Sequence, residues 1–278
     1  MSKFAAIQMA SGPNIQANLE EAAKLIENAV AREAQLVVLP ENFAIMAMTE
    51  QERVSYAERP GVGIMQDFLS NQSKKHGIWL VGGTIPMHSE IQGKALAASL
   101  MFNDKGEQVA RYDKIHMFDV LIEGNESNES YNESKTTEAG SDTVVVDTPF
   151  GQVGMAVCYD LRFPELFRTM NDQGMEICVL PSAFTAITGK AHWEPLVRAR
   201  AIENQCYMIA AAQGGFHING RKTHGNSMIV DAWGNILGRL ASAPGVVVED
   251  IDQDFLQNTR KNFPVLKHRR LNCKISSH

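Results

Sequence analysis

The chain has 278 residues, 44% hydrophobic and 21% charged, with a net charge of −6. That is the composition of a globular protein able to bury a sizeable core, and the acidic balance argues against a broad basic face for nucleic acid. No run approaches membrane-spanning length and no Pro/Gly/Ser linker divides the chain, so one domain over residues 1–278 and no membrane partner are expected.

In chain order, the first strand-like run is Phe4–Met9, directly after a start that lacks the apolar stretch and cleavage site of a secretory signal. Ile15–Arg32 follows as an amphipathic helix, with apolar Ile15, Leu19, Ala22, Leu25, Ile26 and Val30 on one face. The short apolar strand Leu36–Leu39 is halted by Pro40, which leaves Glu41 just past its end. A surface carboxylate is the commoner fate of such a glutamate. A helix over Gly63–His76 precedes strands at Trp79–Gly83 and Ser99–Asn103. In Arg111-Tyr-Asp-Lys114-Ile-His-Met-Phe118, Lys114 stands among aromatic and apolar neighbours, an unusual place for an ammonium unless it is paired. His116, two residues on, alternates to the opposite strand face and is left out of the candidate site. The segment Glu123–Asp142 is rich in Glu, Asn and Ser and reads as a mobile acidic loop.

Strands are expected next at Val144–Asp147 and Val153–Val157. Cys158 sits where that second run stops, and Pro164 suits the first turn of a helix through Gln173. Such a corner can expose a sulfur and aim backbone N–H groups at what it attacks. By itself a cysteine is more often a small buried hydrophobe, and Cys178 and Cys206 read that way. Beyond lie a strand Ile177–Leu180, a helix Ala191–Asn204 with His192 and Trp193 at its start in packing and capping roles, and strands Tyr207–Ala212, Ser227–Asp231 and Gly245–Ile251. Helices alternate with strands in the first half and strands dominate after Tyr207, which implies two mixed sheets covered by helices. The four cysteines, at 158, 178, 206 and 273, have no Cys-x-x-Cys spacing. That argues against structural zinc and against a disulfide framework, and makes the reducing cytoplasm the expected compartment. No Gly-rich phosphate loop is present in the required context, so no nucleotide or other cofactor is expected. The basic tail Lys267-His-Arg-Arg270 reads as a solvated terminus.

Taken in the order Glu41, Lys114, Cys158, with Pro-Glu-Asn, Tyr-Asp-Lys-Ile-His and Val-Cys-Tyr-Asp-Leu-Arg-Phe-Pro-Glu around them, these segments resemble the carbon–nitrogen hydrolase (nitrilase) superfamily and its Glu-Lys-Cys triad, over essentially the whole chain. Pro181-Ser-Ala-Phe184, Thr188-Gly, Ala191-His-Trp-Glu194, Arg198-Ala-Arg-Ala-Ile-Glu203-Asn-Gln-Cys-Tyr207 and Gly225-Asn-Ser-Met-Ile-Val-Asp-Ala-Trp-Gly234 are most similar to its deaminated glutathione amidase branch. Asn226 stands where the family often has His, and Ala232 where it often has Pro.

The resemblance implies an α/β fold, a four-layer α-β-β-α sandwich with two mixed sheets, and a homodimer or higher homo-oligomer paired through helices near the nucleophile. It implies an amidase that attacks a small carboxylated amide through Cys158 and a thioester. Glu41 would be the proton carrier and Lys114 the oxyanion donor, with Glu133 holding Lys114 charged. The backbone N–H of Tyr159 is the expected second oxyanion donor. Arg162 is the expected clamp for a substrate carboxylate, its alternative being an ion pair with Glu165 or Asp160. Lys114 and the helix start after Cys158 are expected to favour the thiolate. The expected reaction releases 2-oxoglutarate and cysteinylglycine from deaminated glutathione. Alternatives are an omega-amidase acting on 2-oxoglutaramate, a carbamoyl-amide hydrolase, a true nitrilase, or a catalytically idle binding module. The Glu123–Asp142 segment is expected to shape the leaving side of the pocket.

Overall fold

The fold is described by a computed structural model covering residues 1–122 and 129–271; the expectations for residues 123–128 and Cys273 lie outside the described residues. Strands Gly245–Ile251, Ser2–Gln8, Leu36–Val38, Trp79–Val81, Ala95–Phe102 and Ile85–His88 form the first sheet in that spatial order, with Gln108–Asp113 and Thr137–Glu138 also pairing to Ala95–Phe102. Its pairings are mixed, parallel between Ser2–Gln8, Leu36–Val38 and Trp79–Val81, antiparallel elsewhere save the short Thr137–Glu138 contact. The second sheet runs Val144–Thr148, Gly151–Met155, Ile177–Ser182, Tyr207–Ala212, Met228–Val230 and Ile236–Arg239. There the three central strands are parallel and the outer pairings antiparallel.

Side-chain alternation shows how the layers stack. In the first sheet Phe4, Ala6, Leu36 and Val38 pack into one core with Val153, Ile177 and Val179 of the second sheet. Their sequence neighbours Ala5, Ile7, Val37 and Leu39 pack into another with Leu19, Ala22, Ile26, Met65 and Leu69. Successive strand residues point to opposite faces, so both faces are covered and the runs read as continuously apolar. The second core comprises the helices Ile15–Ala31 and Ile64–His76 outside the first sheet. Leu166, Phe167, Trp193 and Val197, from the helices Pro164–Asp172 and Ala186–Asn204, cover the far side of the second. The result is the expected α-β-β-α sandwich. Among the described residues, no helix is long and apolar enough to cross a membrane.

Several elements differ from the sequence expectations. The helix expected from Ala191 begins at Ala186, capped by the Thr185 hydroxyl, which accepts from the Thr188 N–H at 3.2 Å. Gly189 belongs to it because a Cβ there would lie 2.2 Å from that of His224, so the glycine marks a close approach, not a break. His192 and Trp193 therefore sit inside the helix, and the Trp193 indole N–H donates to the Asn226 carbonyl at 2.8 Å. Of the stretch expected as a mobile acidic loop, residues 129–135 and 137–138 form regular structure. Glu129–Asn132 pairs with Asp119–Ile122 as a hairpin, and a single 3₁₀ turn covers Glu133–Lys135.

The sandwich brings one end of both sheets together. A parallel bridge joins Met9 to Gln213, one residue past the carboxyl ends of Ser2–Gln8 and Tyr207–Ala212. Leu36–Val38 runs parallel to the former strand, and Gly151–Met155 and Ile177–Ser182 to the latter. The segments carrying Glu41, Cys158 and Ala183 thus emerge at a common end, where α/β sheets bind ligands.

Gly83 lets the chain pass close to the Glu41 segment. Its φ is +52°, and a Cβ there would lie 2.1 Å from the Pro40 carbonyl oxygen. Gly83→Ala is expected to destabilise the fold by about 2 kcal/mol or more, from left-handed strain plus this clash. Urea unfolding followed by circular dichroism reads it, and an unchanged midpoint would show that the close approach is not needed.

Candidate active site

Each candidate side chain is delivered by a turn after a strand. Glu41 follows Leu36–Val38 and is almost wholly buried. Asn42 takes a left-handed φ of +56°, which asparagine tolerates, and its N–H donates to the Thr84 hydroxyl at 2.9 Å. The Glu41 carbonyl accepts from the Gln213 amide at 3.0 Å, and Gln213 also donates to the Ser11 hydroxyl, so the first sheet's turn is tied to the second sheet. Lys114 follows Gln108–Asp113 and is 2% exposed. Its Nζ lies 2.9 Å from Glu41 Oε1, 2.9 Å from Glu133 Oε1 and 2.8 Å from Glu133 Oε2. Glu133 Oε2 also accepts from the Phe118 N–H at 2.7 Å. Of the described glutamates in the 123–138 segment, Glu133 is thus the one bonded to the lysine.

Cys158 begins the short 3₁₀ turn Cys158–Arg162, three residues past the end of its strand, with φ of +47°. A non-glycine residue in that region carries about 1–2 kcal/mol of strain and is a feature of residues that a fold holds in place for a purpose. Its Sγ accepts from the Ala183 N–H at 3.4 Å. Glu41, Lys114, Glu133, Cys158, Tyr159 and Arg162 all line one cleft of about 260 Å³. The Tyr159 ring packs edge-on to Phe118 and Phe163 at 5.0 and 5.3 Å. Arg162 lies between the rings of Tyr159 and Phe184, 5.5 and 5.2 Å from their centroids, and its guanidinium is 3.2 Å from His192 Nδ1. The ion pair with Glu165 or Asp160 weighed from sequence is not formed.

The profile of the carbon-nitrogen hydrolase family matches residues 3–261. The chain belongs to this family. A deaminated glutathione amidase of Yersinia enterocolitica is 43% identical over 97% of this chain and 93% of its own. One of Mus musculus is 41% identical over 96% of this chain and 82% of its own. Among solved structures, Saccharomyces cerevisiae Nit3, a member of branch 10 of the nitrilase superfamily, superposes with a TM-score of 0.86 at 31% identity, over 97% of each chain. Family membership makes this chain an enzyme that acts on carbon–nitrogen bonds, and the cleft just described is its candidate active site.

The electrostatics of the cleft depart from one expectation. Burial pushes the Cys158 thiol well above its ordinary value, and the Glu41 charge and hydrogen bond push the same way. The Lys114 charge and the Ala183 N–H oppose them without prevailing. Burial and the Glu41 charge thus hold the sulfur toward its thiol form, against the pull toward thiolate expected from its cation and turn. Lys114 is raised well above 10.5, since the charges of Glu133 and Glu41 overcome a large desolvation penalty. Glu133 is lowered below 4.5, burial being outweighed by Lys114 and the Phe118 N–H. By linkage, the Glu133 contribution to stability is present above pH 4.5 and is lost as pH falls through its depressed value. The Lys114 contribution is present below 10.5 and is lost as pH rises through its elevated value. In iodoacetamide labelling followed by peptide mass mapping, the pH profile of Cys158 should move to lower pH in Glu41→Gln and to higher pH in Lys114→Gln. Unmoved profiles in both variants would mean that neither charge acts on the sulfur.

Asp160 escaped the sequence reading as a site residue, and so did its tie to His116. It is fully buried, and its carboxylate accepts from the Tyr112 hydroxyl at 2.7 Å and the Val157 N–H at 2.8 Å through Oδ2. Through Oδ1 it meets the His116 N–H at 3.1 Å and His116 Nδ1 at 2.7 Å. The His116 ring stacks on Phe163, centroids 3.7 Å apart. Asp160 thus ties the strained Cys158 turn to the Lys114 segment. Whichever way an asparagine amide turned at this position, its NH₂ would face a backbone N–H. Asp160→Asn is expected to lose about 1–3 kcal/mol of stability and to alter the Cys158 labelling rate. Unchanged unfolding and labelling would remove this bracing role.

Proposed function

We propose that this chain is a thiol amidase that cleaves deaminated glutathione to 2-oxoglutarate and cysteinylglycine through a Cys158 thioester. The reading rests above all on the Lys114 ammonium, buried against Glu41 and Glu133 in the cleft that also holds the strained Cys158. The names of the relatives supply the substrate. Glu41 takes the Cys158 proton as the sulfur bonds to the amide carbon, giving a tetrahedral oxyanion. Lys114 and the Tyr159 backbone N–H stabilise that oxygen. All three Lys114 protons have a resting acceptor, so one must be redirected. The contact with Glu133 Oε2 is the one to release, because that oxygen keeps the Phe118 N–H. Glu41 then protonates the departing amine as the C–N bond breaks. It next takes a proton from the water that attacks the thioester, and the tetrahedral adduct expels the sulfur, which recovers that proton. Arg162, held by two aromatic faces and free of a carboxylate partner among the described residues, takes the carboxylate of the 2-oxo acid half.

Cytoplasmic residence fits the free thiols of Cys158, Cys178 and Cys206. Association into a homodimer or higher homo-oligomer is supported by the exposed Trp233, packed at 5.5 Å on half-exposed Phe263; light scattering on the purified chain tests it.

Turnover on deaminated glutathione, 2-oxoglutaramate, a carbamoyl amino acid and a nitrile decides the substrate. The first should have the highest kcat/KM, and a preference for 2-oxoglutaramate would move the chain to the omega-amidases. Cys158→Ala should be inactive with circular dichroism unchanged, and Lys114→Gln and Glu41→Gln should each lose about 10²- to 10⁴-fold in kcat. Hydroxylamine added to the active enzyme should divert the thioester to a hydroxamate. An active Cys158→Ala would sink the covalent route.

A further inference from the structure

The cleft carries a second guanidinium for which the proposed chemistry has no use. Arg221 lines it from the connection between strands Gly214–Phe216 and Lys222–His224. That connection is fixed internally. The His217 N–H donates to the Arg221 carbonyl at 2.9 Å, the Arg221 N–H to Asn219 Oδ1 at 3.1 Å, and the Asn219 amide to the Ala47 carbonyl at 2.8 Å. The Arg221 guanidinium lies 5.0 Å from the centroid of the Tyr131 ring. Tyr131 packs on Phe118 at 5.0 Å, Phe118 on Tyr159 at 5.0 Å, and Tyr159 carries Arg162 at 5.5 Å. A row of three aromatic rings along the cleft therefore has a guanidinium at either end.

Charge in the cleft is matched to such an arrangement. Its lining has Arg53, Lys114, Arg162 and Arg221 against Glu41, Glu50 and Glu133, one positive charge in excess on a chain of net charge −6. Lys114 is consumed by its two glutamates. Arg53 and Arg221 share the single carboxylate of Glu50, at 3.1 and 3.5 Å. Arg53 is spent twice over, since it also donates to the Thr137 hydroxyl at 2.6 Å and is nearly closed to solvent. Arg221 keeps 30% of its side chain exposed, and beyond Glu50 it meets the Tyr131 hydroxyl and, weakly, the Met46 sulfur.

We infer that Arg221 binds the carboxylate of the leaving group, so that the cleft clamps a dicarboxylate by its two ends; this rests on the amidase reading above. The leaving dipeptide of the proposed substrate ends in a carboxylate, whereas the ammonia released from 2-oxoglutaramate has none. Arg221 would then be a determinant of substrate choice that the Glu41, Lys114 and Cys158 set cannot provide.

The test compares deaminated glutathione with its analogue in which the glycine carboxylate is converted to the primary amide, using the full-length chain, Arg221→Gln and Arg221→Lys. The wild type should favour the acid over the amide in kcat/KM by about ten- to a hundred-fold, the worth of one charge-assisted pair. Arg221→Gln should erase most of that preference, chiefly through KM, and Arg221→Lys should restore part of it. Thermal melts check that the variants fold, and the wild-type preference alone bears on the clamp if Arg221→Gln does not. Equal turnover of acid and amide by the wild type, or an acid-to-amide ratio unchanged in Arg221→Gln, overturns the clamp while leaving the amidase standing. Failure of the wild type to cleave either compound, with another amide turned over instead, overturns the substrate reading and the clamp together.

Discussion

The constraint on which the cleft depends is the burial of the Lys114 ammonium. A lone charge of that size withdrawn from water is prohibitively unfavourable, so a lysine 2% exposed requires anionic partners held at hydrogen-bond distance. The two it has are 73 residues before it and 19 after it in the chain. Satisfying one side chain therefore fixes three separate segments against one another, the turn after Leu36–Val38, the end of Gln108–Asp113 and the 3₁₀ turn Glu133–Lys135. A buried ion pair of this kind is weak evidence for stability. What it does secure is position, and it leaves a full positive charge in a dry place facing Cys158.

Position on the sulfur side is secured differently, by strain and a buried, fully hydrogen-bonded carboxylate. The left-handed backbone at Cys158 persists only because its surroundings over-determine it. Asp160, two residues on, supplies much of that, reaching back to the Val157 N–H and out to Tyr112 and the His116 segment. Because the His116 segment is also the one that carries Lys114, the nucleophile and the cation share a brace. Their relative placement does not depend on loops free to drift.

The layers were legible in the sequence and the boundaries of their parts less so. Runs such as Phe4–Met9 and Tyr207–Ala212 are apolar at nearly every position because both sheet faces are covered, and that signal is local. Strands such as Gln108–Asp113 and Ile85–His88 lack it: the first carries charged residues that stay partly exposed and the second a proline and a histidine. The true start of the helix at Ala186 was masked by Gly189, whose reason is a contact with His224, 35 positions later in the chain. Among the site residues, Glu41 and Cys158 could be found because each follows an apolar run, and Lys114 because an ammonium among aromatic and apolar neighbours needs a partner. Arg221 and Asp160 could not, because an arginine in a Gly-Arg-Lys turn and an aspartate before Leu-Arg carry no local mark of their roles. The forces that oppose a thiolate went unread for the same reason. Proximity of Lys114 was inferable, but desolvation and the opposing Glu41 charge depend on the closed geometry of the cleft.

The upward push on the Cys158 thiol bears on how the proposed chemistry is controlled. A thiolate is the species that oxidants and alkylating agents attack, so a sulfur held toward its protonated form reacts with them more slowly. Glu41 can take that proton, most readily when the negative charge leaving the sulfur arrives on an oxygen that Lys114 can stabilise. An acyl carbonyl seated in the cleft offers such an oxygen, whereas a small oxidant offers no comparable acceptor beside the ammonium. An occupied cleft therefore favours attack more than an empty one, and selectivity among amides passes to the residues that seat the substrate. Those are the aromatic row and the guanidiniums at its ends, which lie outside the Glu41, Lys114 and Cys158 set.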